Sequence, residues 1–383
     1  MKISILCFDL SDNAVGRADL LARLVAPLGE VEVIGPQSRN RVWEPVADGP
    51  VSHRGIPDRR LPGFFGTMRR LARMADGDLL YASKTRLGSA GVAYLRRALG
   101  PRRPVVLDID DWEVGFYLRS GPWGTLGRLL NLGNPKGLAW TWLAERLTGL
   151  ADGITVASRF LQERFGGTLI PHVRDTDAWG PGAGDGPAAR EKLGVGRENS
   201  LVMFLGTARA YKGVADLAEA VTRLQGRKVK LAVVGLDPGS LLGRDLAERY
   251  PSTRIAGPIP FAQVPDYLAA ADVVAVPQRK TPDTAGQVPA KLFDAMAMGR
   301  PIVATRVSMI PEILEDAGLL AEPGDPDSLA RCLAEILDSP ERAARLGERA
   351  RRRAVERYSF AAARRDLFPL LDAASVRAGA RRR

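Results

Sequence analysis

Histidine and cysteine are scarce in this 383-residue chain, which has two of each: His53, His172, Cys7 and Cys332. Two imidazoles leave little material for a catalytic zinc site or a Ser-His-Asp triad. The two thiols lie far apart inside apolar segments, which argues against a disulfide framework and for a reducing, cytoplasmic setting. No apolar run reaches the 18 residues or so of a membrane-spanning helix. The opening MKISILCFDL is too short for a signal peptide and reads as a first buried strand. No G-x-G-x-x-G follows that strand, which disfavours a dinucleotide site of the usual kind. Helix-turn-helix, zinc and RNA-binding signatures are missing too, so nucleic acid is not an expected partner. No internal repeat or low-complexity tract is evident.

What remains is the composition of a soluble globular protein, 45% apolar and 26% charged, at a length that exceeds one hydrophobic core. Short apolar strands at Ile3–Phe8, Val31–Ile34, Leu79–Ala82, Pro104–Ile109 and Gly153–Ala157 alternate with helical patterns such as Ala18–Val25, Gly91–Leu99 and Trp140–Leu150. A second series starts at Leu201–Leu205 and continues with Val229–Gly235. Strand and helix in strict alternation predict parallel α/β architecture. Glycine and proline concentrate after Ala178, so the expected boundary is a linker over 178–198, between a first domain at 1–177 and a second at 199–357.

The net charge is +11, and arginines interleave with apolar residues from Arg59 to Arg73 and close the chain at Arg381-Arg382-Arg383. A solvated basic face is one reading. Attraction to an anionic membrane is another, since each basic residue near such a surface adds roughly 1 kcal/mol.

Residues 281–312 read as loop, helix start, short helix, buried strand and loop in immediate succession, an order that suits a nucleotide pocket. Pro289 can take the first helical position, and Leu292, Phe293, Met296 and Ala297 recur at helical spacing. Lys291 and Asp294 share one face. A cation in a first helical turn opposes the helix dipole unless an anion sits nearby, and helix N-termini favour phosphate. Lys212 similarly ends a loop, three residues after Arg209, and leads into a helix. In the first domain, Val105–Trp112 runs from a buried strand into Asp108, Asp110 and Asp111, a cluster that calls for a cation, a proton or donor groups. It could hold a divalent ion as a D-x-D pair, or it could line an acceptor site.

Three of these stretches resemble retaining glycosyltransferases of family 4, which have the GT-B fold: TPDTAGQVPAKLFDAMAMGRPIVATRVSMIPE at 281–312, FLGTARAYKG at 204–213 and ADVVAVP at 271–277. The likeness covers most of residues 199–360 and is looser before residue 178. The resemblance implies two Rossmann-like domains facing each other across a cleft, with residues 358–383 as a C-terminal helix returning to the first domain and a basic tail. It implies transfer of a sugar from a nucleoside diphosphate sugar to an acceptor hydroxyl in cell-envelope or other glycan synthesis, with retention and without metal or other cofactor. The acceptor would be a glycan, a lipid-linked molecule or a small molecule.

Donor-binding candidates are Gly206, Arg209, Lys212, Gly235, Gly286, Gln287, Lys291 and Asp294. Asp110, Asp111 and Lys212 are the candidates for catalysis, and Asn13, Gly16 and His172 lie on the acceptor side. Asp294 matches the second glutamate of the family's E-x7-E pattern, but Gly286 stands where the first would be, leaving Gln287 or Asp283 to meet the sugar. Thr207 replaces the arginine that usually follows the glycine. A nucleotide-sugar epimerase of the same fold, or a degenerate nucleotide-sugar-binding subunit, are the alternatives.

Overall fold

The structure, a computed structural model, describes residues 1–118, 121–224, 226–282 and 284–380. Asp283 and Arg381-Arg382-Arg383, singled out above, lie outside the described residues. Backbone contacts divide the chain into Met1–Pro171 with Ala363–Arg383 and His172–Ala362.

The first unit holds β1 (Lys2–Leu6), β2 (Glu30–Gln37), β3 (Ser52–Pro57), β4 (Leu79–Ser83), β5 (Val105–Ile109), β6 (Gly153–Val156) and β7 (Thr168–Leu169) in one sheet, ordered β3-β2-β1-β4-β5-β6-β7. The second holds β8 (Ser200–Leu205), β9 (Val229–Val234), β10 (Thr253–Ala256), β11 (Val273–Val276), β12 (Ile302–Thr305) and β13 (Leu319–Ala321), ordered β10-β9-β8-β11-β12-β13. Every pairing is parallel. Central strands such as LLYAS at β4 and VVLDI at β5 are buried at every residue, because helices cover both faces of a parallel sheet. Edge strands lack that constraint, and β3, SHRGIP, is exposed at three of its six residues. The apolar-run criterion therefore found the central strands and passed over β3, β7, β10 and β13.

In each sheet the strand order reverses beside the first strand, between β1 and β4 and between β8 and β11. The carboxyl ends at such a reversal are where ligands bind in open α/β sheets.

Two expectations need correction. Residues 178–198 lie inside the second unit. Within them Asp185 caps the helix Gly186–Lys192 by accepting from Ala188 N at 3.0 Å, and that helix packs on the helix Val264–Ala270. Glycine and proline mark turns there, but Pro187 sits in a first helical turn where its missing N–H costs nothing. Pro289 is the cap of the helix Ala290–Ala297, with ψ of 124°, rather than its first residue.

The final helix, Phe360–Ala380, supplies Ala363 onward to the first unit. Arg364 donates to the carbonyls of Leu24 at 3.0 Å and Arg23 at 3.1 Å, and Leu370 packs on Gly153.

Candidate functional site

The second unit gathers five of the donor-binding candidates at the carboxyl ends of β8 and β9 and at the helix Ala290–Ala297. Gly206 directly follows β8 and Gly235 directly follows β9. A side chain at Gly235 would come within 2.8 Å of the Gly206 backbone, so glycine lets the two strand ends close on each other. After the 3-10 turn Ala210–Lys212, Gly213 adopts φ 67°, and a Cβ there would strike the carbonyl of Pro277 at 1.8 Å. That contact seats the Lys212 turn against the end of β11. Arg279 holds it there, donating its own N–H to Tyr211 O at 2.8 Å and its guanidinium to Asp216 at the start of the next helix. Arg209 is exposed on the outer part of the same loop.

Lys291 is 7% exposed, and its Nζ has no hydrogen-bond partner. The ammonium lies 3.3 Å from the centre of the Phe204 ring, and a Cβ built on Gly206 would be 3.4 Å from it. Burial first, then the charge of Lys212, holds the ammonium well below its usual range, with Asp294 opposing. A buried, hydrogen-bond-free cation that feels a second cation, at the ends of two strands and the first turn of a helix, is organised for an anion.

Asp294 is also buried, but its partner is not Lys291. Arg174 donates to Asp294 Oδ1 through its Nε, and the guanidinium lies over the rings of Trp179 at 5.7 Å and Phe261 at 5.4 Å. Burial raises the Asp294 carboxyl while Arg174 lowers it. Sequence reasoning missed Arg174. Nothing local announced a reach across 120 positions. His172, expected on the acceptor side, belongs to the second unit, its ring 6.4 Å from that of Phe293 on the same helix as Lys291. Its two-residue separation from Arg174 ties it to that helix. Gly286 is buried and Gln287 half-buried in the loop leading to Pro289, with Gln287 N donating to Thr284 O at 3.2 Å.

In the first unit the carboxylate cluster is answered from within. Asp108 is fully buried, accepts two hydrogen bonds from Arg17 at 2.8 and 2.9 Å, and takes a third from Thr155 at 2.8 Å. Arg17 also donates to the Ile170 and Pro171 carbonyls. Lys84, directly after β4, turns through φ 74°, a conformation rare for a residue with a side chain. Its N–H donates to Asp108 O at 2.8 Å, and its Nζ lies 2.7 Å from Asp110, 2.7 Å from Asp111 and 3.0 Å from Glu113. The approach to Asp110 Oδ1 is an ion-pair contact rather than an aligned hydrogen bond. Arg86 holds the far side of Glu113.

Ligand atoms of Asp110, Asp111 and Glu113 lie within 4.8 Å of one another, close enough for a divalent ion. The Lys84 ammonium supplies positive charge to all three, and Arg17 donates to both oxygens of Asp108. Two cations answer three carboxylates in this cluster. Burial raises Asp110 well above the usual carboxylate range, with Lys84 opposing and Asp111 and Asp108 adding to the rise. Burial would raise Glu113 too, but Arg86 and Lys84 more than offset it and hold it low. Lys84, Arg86 and Glu113 were not foreseen, because lone cations after a strand carry no pattern. Asn13 is exposed and Gly16 half-buried on the loop and helix after β1, where Gly16 faces Trp43.

Two parallel-sheet α/β units of this topology, with the last helix belonging to the first, make this a GT-B protein. Anabaena HepE, solved in complex with UDP and glucose, superimposes with a TM-score of 0.74 at 18% identity, covering 97% of this chain and 99% of that one. Sucrose-phosphate synthase from Thermosynechococcus elongatus gives 0.69 at 18% identity, with 97% and 98% covered.

The sequence profile of glycosyl transferases group 1 matches residues 199–339. D-inositol 3-phosphate glycosyltransferase of Corynebacterium aurimucosum is 30% identical over 381 residues, covering 90% of this chain and 84% of the relative. The chain belongs to glycosyl transferases group 1. MMP alpha-(1->4)-mannosyltransferase of Mycolicibacterium hassiacum is 34% identical over 173 residues, covering 43% of this chain and 41% of the relative, so that match spans less than half of either protein. GDP-mannose-dependent alpha-(1-6)-phosphatidylinositol monomannoside mannosyltransferase of Mycolicibacterium smegmatis is 29% identical, covering 65% and 74%.

Proposed function

We propose that this chain is a retaining, family 4 type glycosyltransferase that moves a sugar from a nucleoside diphosphate sugar to an acceptor hydroxyl in cell-envelope glycan synthesis. The observation that carries the reading is the Lys291 ammonium, buried without a hydrogen-bond partner beside Gly206 and under the influence of Lys212. A diphosphate would give the Lys291 ammonium its missing partner within the field of Lys212. The two cations would stabilise the charge that grows on the leaving diphosphate, so that this half of the catalysis needs no metal. Asp294, steadied by Arg174, would accept from the ribose hydroxyls, and Gln287 lies in the loop that approaches the sugar.

On the acceptor side, Asp110 carries the surplus negative charge of its cluster. Its raised proton affinity suits a carboxylate that takes a proton from an acceptor hydroxyl. The relatives described above are all named for transfers, which favours transfer over epimerisation. The phosphatidylinositol mannoside and inositol phosphate acceptors in those names support a phosphorylated or lipid-linked acceptor.

The test is incubation with UDP-glucose and with GDP-mannose, following release of the nucleoside diphosphate and the anomeric proton of the new product by NMR. Release with an axial product from an axial donor is the expected result. Inversion would overturn the retaining assignment, and no turnover of any donor with a panel of inositol and lipid acceptors would overturn the enzyme.

A further inference from the structure

We propose that the helix Gly121–Leu130, together with the exposed side of the helix Leu138–Arg146, is a docking face for an anionic lipid membrane. Trp123 is 84% exposed and Leu130 69%, and Leu126 shares their stripe at helical spacing. Leu132 follows, and Trp142 and Leu143 stand exposed on the second helix, which packs against the first. A soluble protein rarely leaves two tryptophans and a run of leucines in water on adjoining helices without a partner.

Charge identifies the partner. Arg128 and Arg146 lie on these helices, with the Arg146 guanidinium 4.9 Å from the Trp142 ring centre. The neighbouring helix Gly63–Met74 adds Arg69, Arg70 and Arg73 on its exposed side. It is tied to the face by the edge-on contact of Phe65 with Trp140 and by the bond from Leu61 N to Gly133 O. The nearby carboxylates are spoken for. Glu145 turns inward to accept from Val114 N at 3.1 Å, and Asp58 lies 2.9 Å from Lys136.

Tryptophan and leucine flanked by arginine, with no exposed acid on either helix, is the chemistry of a surface that sits at the headgroup level of an anionic bilayer. A second copy of the chain seated on the same face would bring the arginines of both copies together. No described helix is long and apolar enough to cross a membrane, so the face would lie on the bilayer rather than span it. The membrane contact lies mainly on residues 121–146, with the basic segment 59–73 as its flank. It does not depend on the identity of donor or acceptor.

The experiment is sedimentation of the full chain with vesicles of equal parts phosphatidylglycerol and phosphatidylcholine, and with pure phosphatidylcholine. Thermal melts and light scattering run alongside. Wild type should partition at least about tenfold better onto the anionic vesicles and release as salt is raised. The pair Trp123→Ala with Leu130→Ala should lose about tenfold in partitioning at an unchanged melting temperature, because both side chains are already in water. Arg69→Glu with Arg70→Glu should lose the preference for anionic lipid. Equal partitioning of wild type and the Trp123/Leu130 variant would overturn the proposal. So would a concentration-dependent dimer that the same variant abolishes, which would make the face a contact between copies.

Discussion

The carboxyl edges of the two sheets present opposite electrostatic situations. At the end of β4 and β5 three carboxylates, Asp110, Asp111 and Glu113, surround one ammonium, and a second cation closes the far side. At the ends of β8 and β9, Lys291 is buried with an aromatic ring and a glycine for neighbours, and Lys212 adds repulsion rather than relief. The first arrangement is answered by the protein's own side chains, save for the surplus charge at Asp110. In the second the Lys291 ammonium has no hydrogen-bond partner, and under the proposed function a diphosphate would supply one. Buried charge that is internally paired supports architecture, whereas buried charge left waiting is the mark of a ligand site. The two clusters should part when their lysines are removed, one losing stability and the other losing binding.

Removal of Lys84 should give the largest effect. Lys84→Ala leaves buried carboxylates without their common cation, and a loss of about 3–5 kcal/mol in urea unfolding is expected. A change under about 1 kcal/mol would mean the carboxylates are well solvated after all. Next, Lys212→Ala should weaken nucleoside diphosphate binding by about ten- to a hundredfold, the worth of one charge-assisted hydrogen bond, with little change in stability because the residue is only half-buried. Calorimetric titration of UDP, GDP and ADP reads this directly.

Arg174→Lys should cost about tenfold in nucleoside diphosphate affinity, because lysine cannot keep both the stacked geometry over Trp179 and Phe261 and the bond to Asp294. Inhibition by inorganic pyrophosphate, which has no ribose, should not move. A parallel loss for pyrophosphate would mean that Arg174 serves the phosphates or the helix as a whole.

The smallest effect is on the pH dependence of stability. The unfolded chain keeps Lys291 near the ordinary lysine value of 10.5, while the folded apo protein holds it well below that. Between the two values the unfolded state binds more protons, so Lys291 makes stability rise with pH through that window. Lys291→Met should flatten that rise relative to wild type in urea melts at a series of pH values. An identical slope in both proteins would show that the ammonium is not held low.

Much of the architecture was legible in the chain. Central strands such as β5 and β8 are buried on both faces, so they appear as uninterrupted apolar runs, and alternation with helices gave the parallel sheets. Edge strands such as β3, polar and half-exposed, gave no such signal. At the candidate sites, Lys212, Lys291 and Asp294 could be picked out because a helix start or a strand end constrains what belongs there. Their partners could not. Arg174 meets Asp294, and Arg17 meets Asp108, only through the folding of segments 120 and 91 positions apart. Lys84 was hidden for a further reason, since its aim depends on a left-handed backbone turn that no residue type announces. Lys291 and Asp294 lie three residues apart on one helix, yet Asp294 pairs with Arg174 while Lys291 meets only the Phe204 ring and no hydrogen-bond partner.

The most direct measurement is calorimetric titration of the nucleoside diphosphates into wild type and Lys291→Met, in two buffers of different ionisation enthalpy. Wild type should bind one of them with uptake of protons, because an incoming diphosphate raises the proton affinity that burial and Lys212 lower at Lys291. Lys291→Met should bind about ten- to a hundredfold more weakly, without that uptake and without loss of folding stability. Equal affinity and equal proton exchange in the two proteins would contradict the account, since Lys291 would then be a buried residue with no part in meeting the anion.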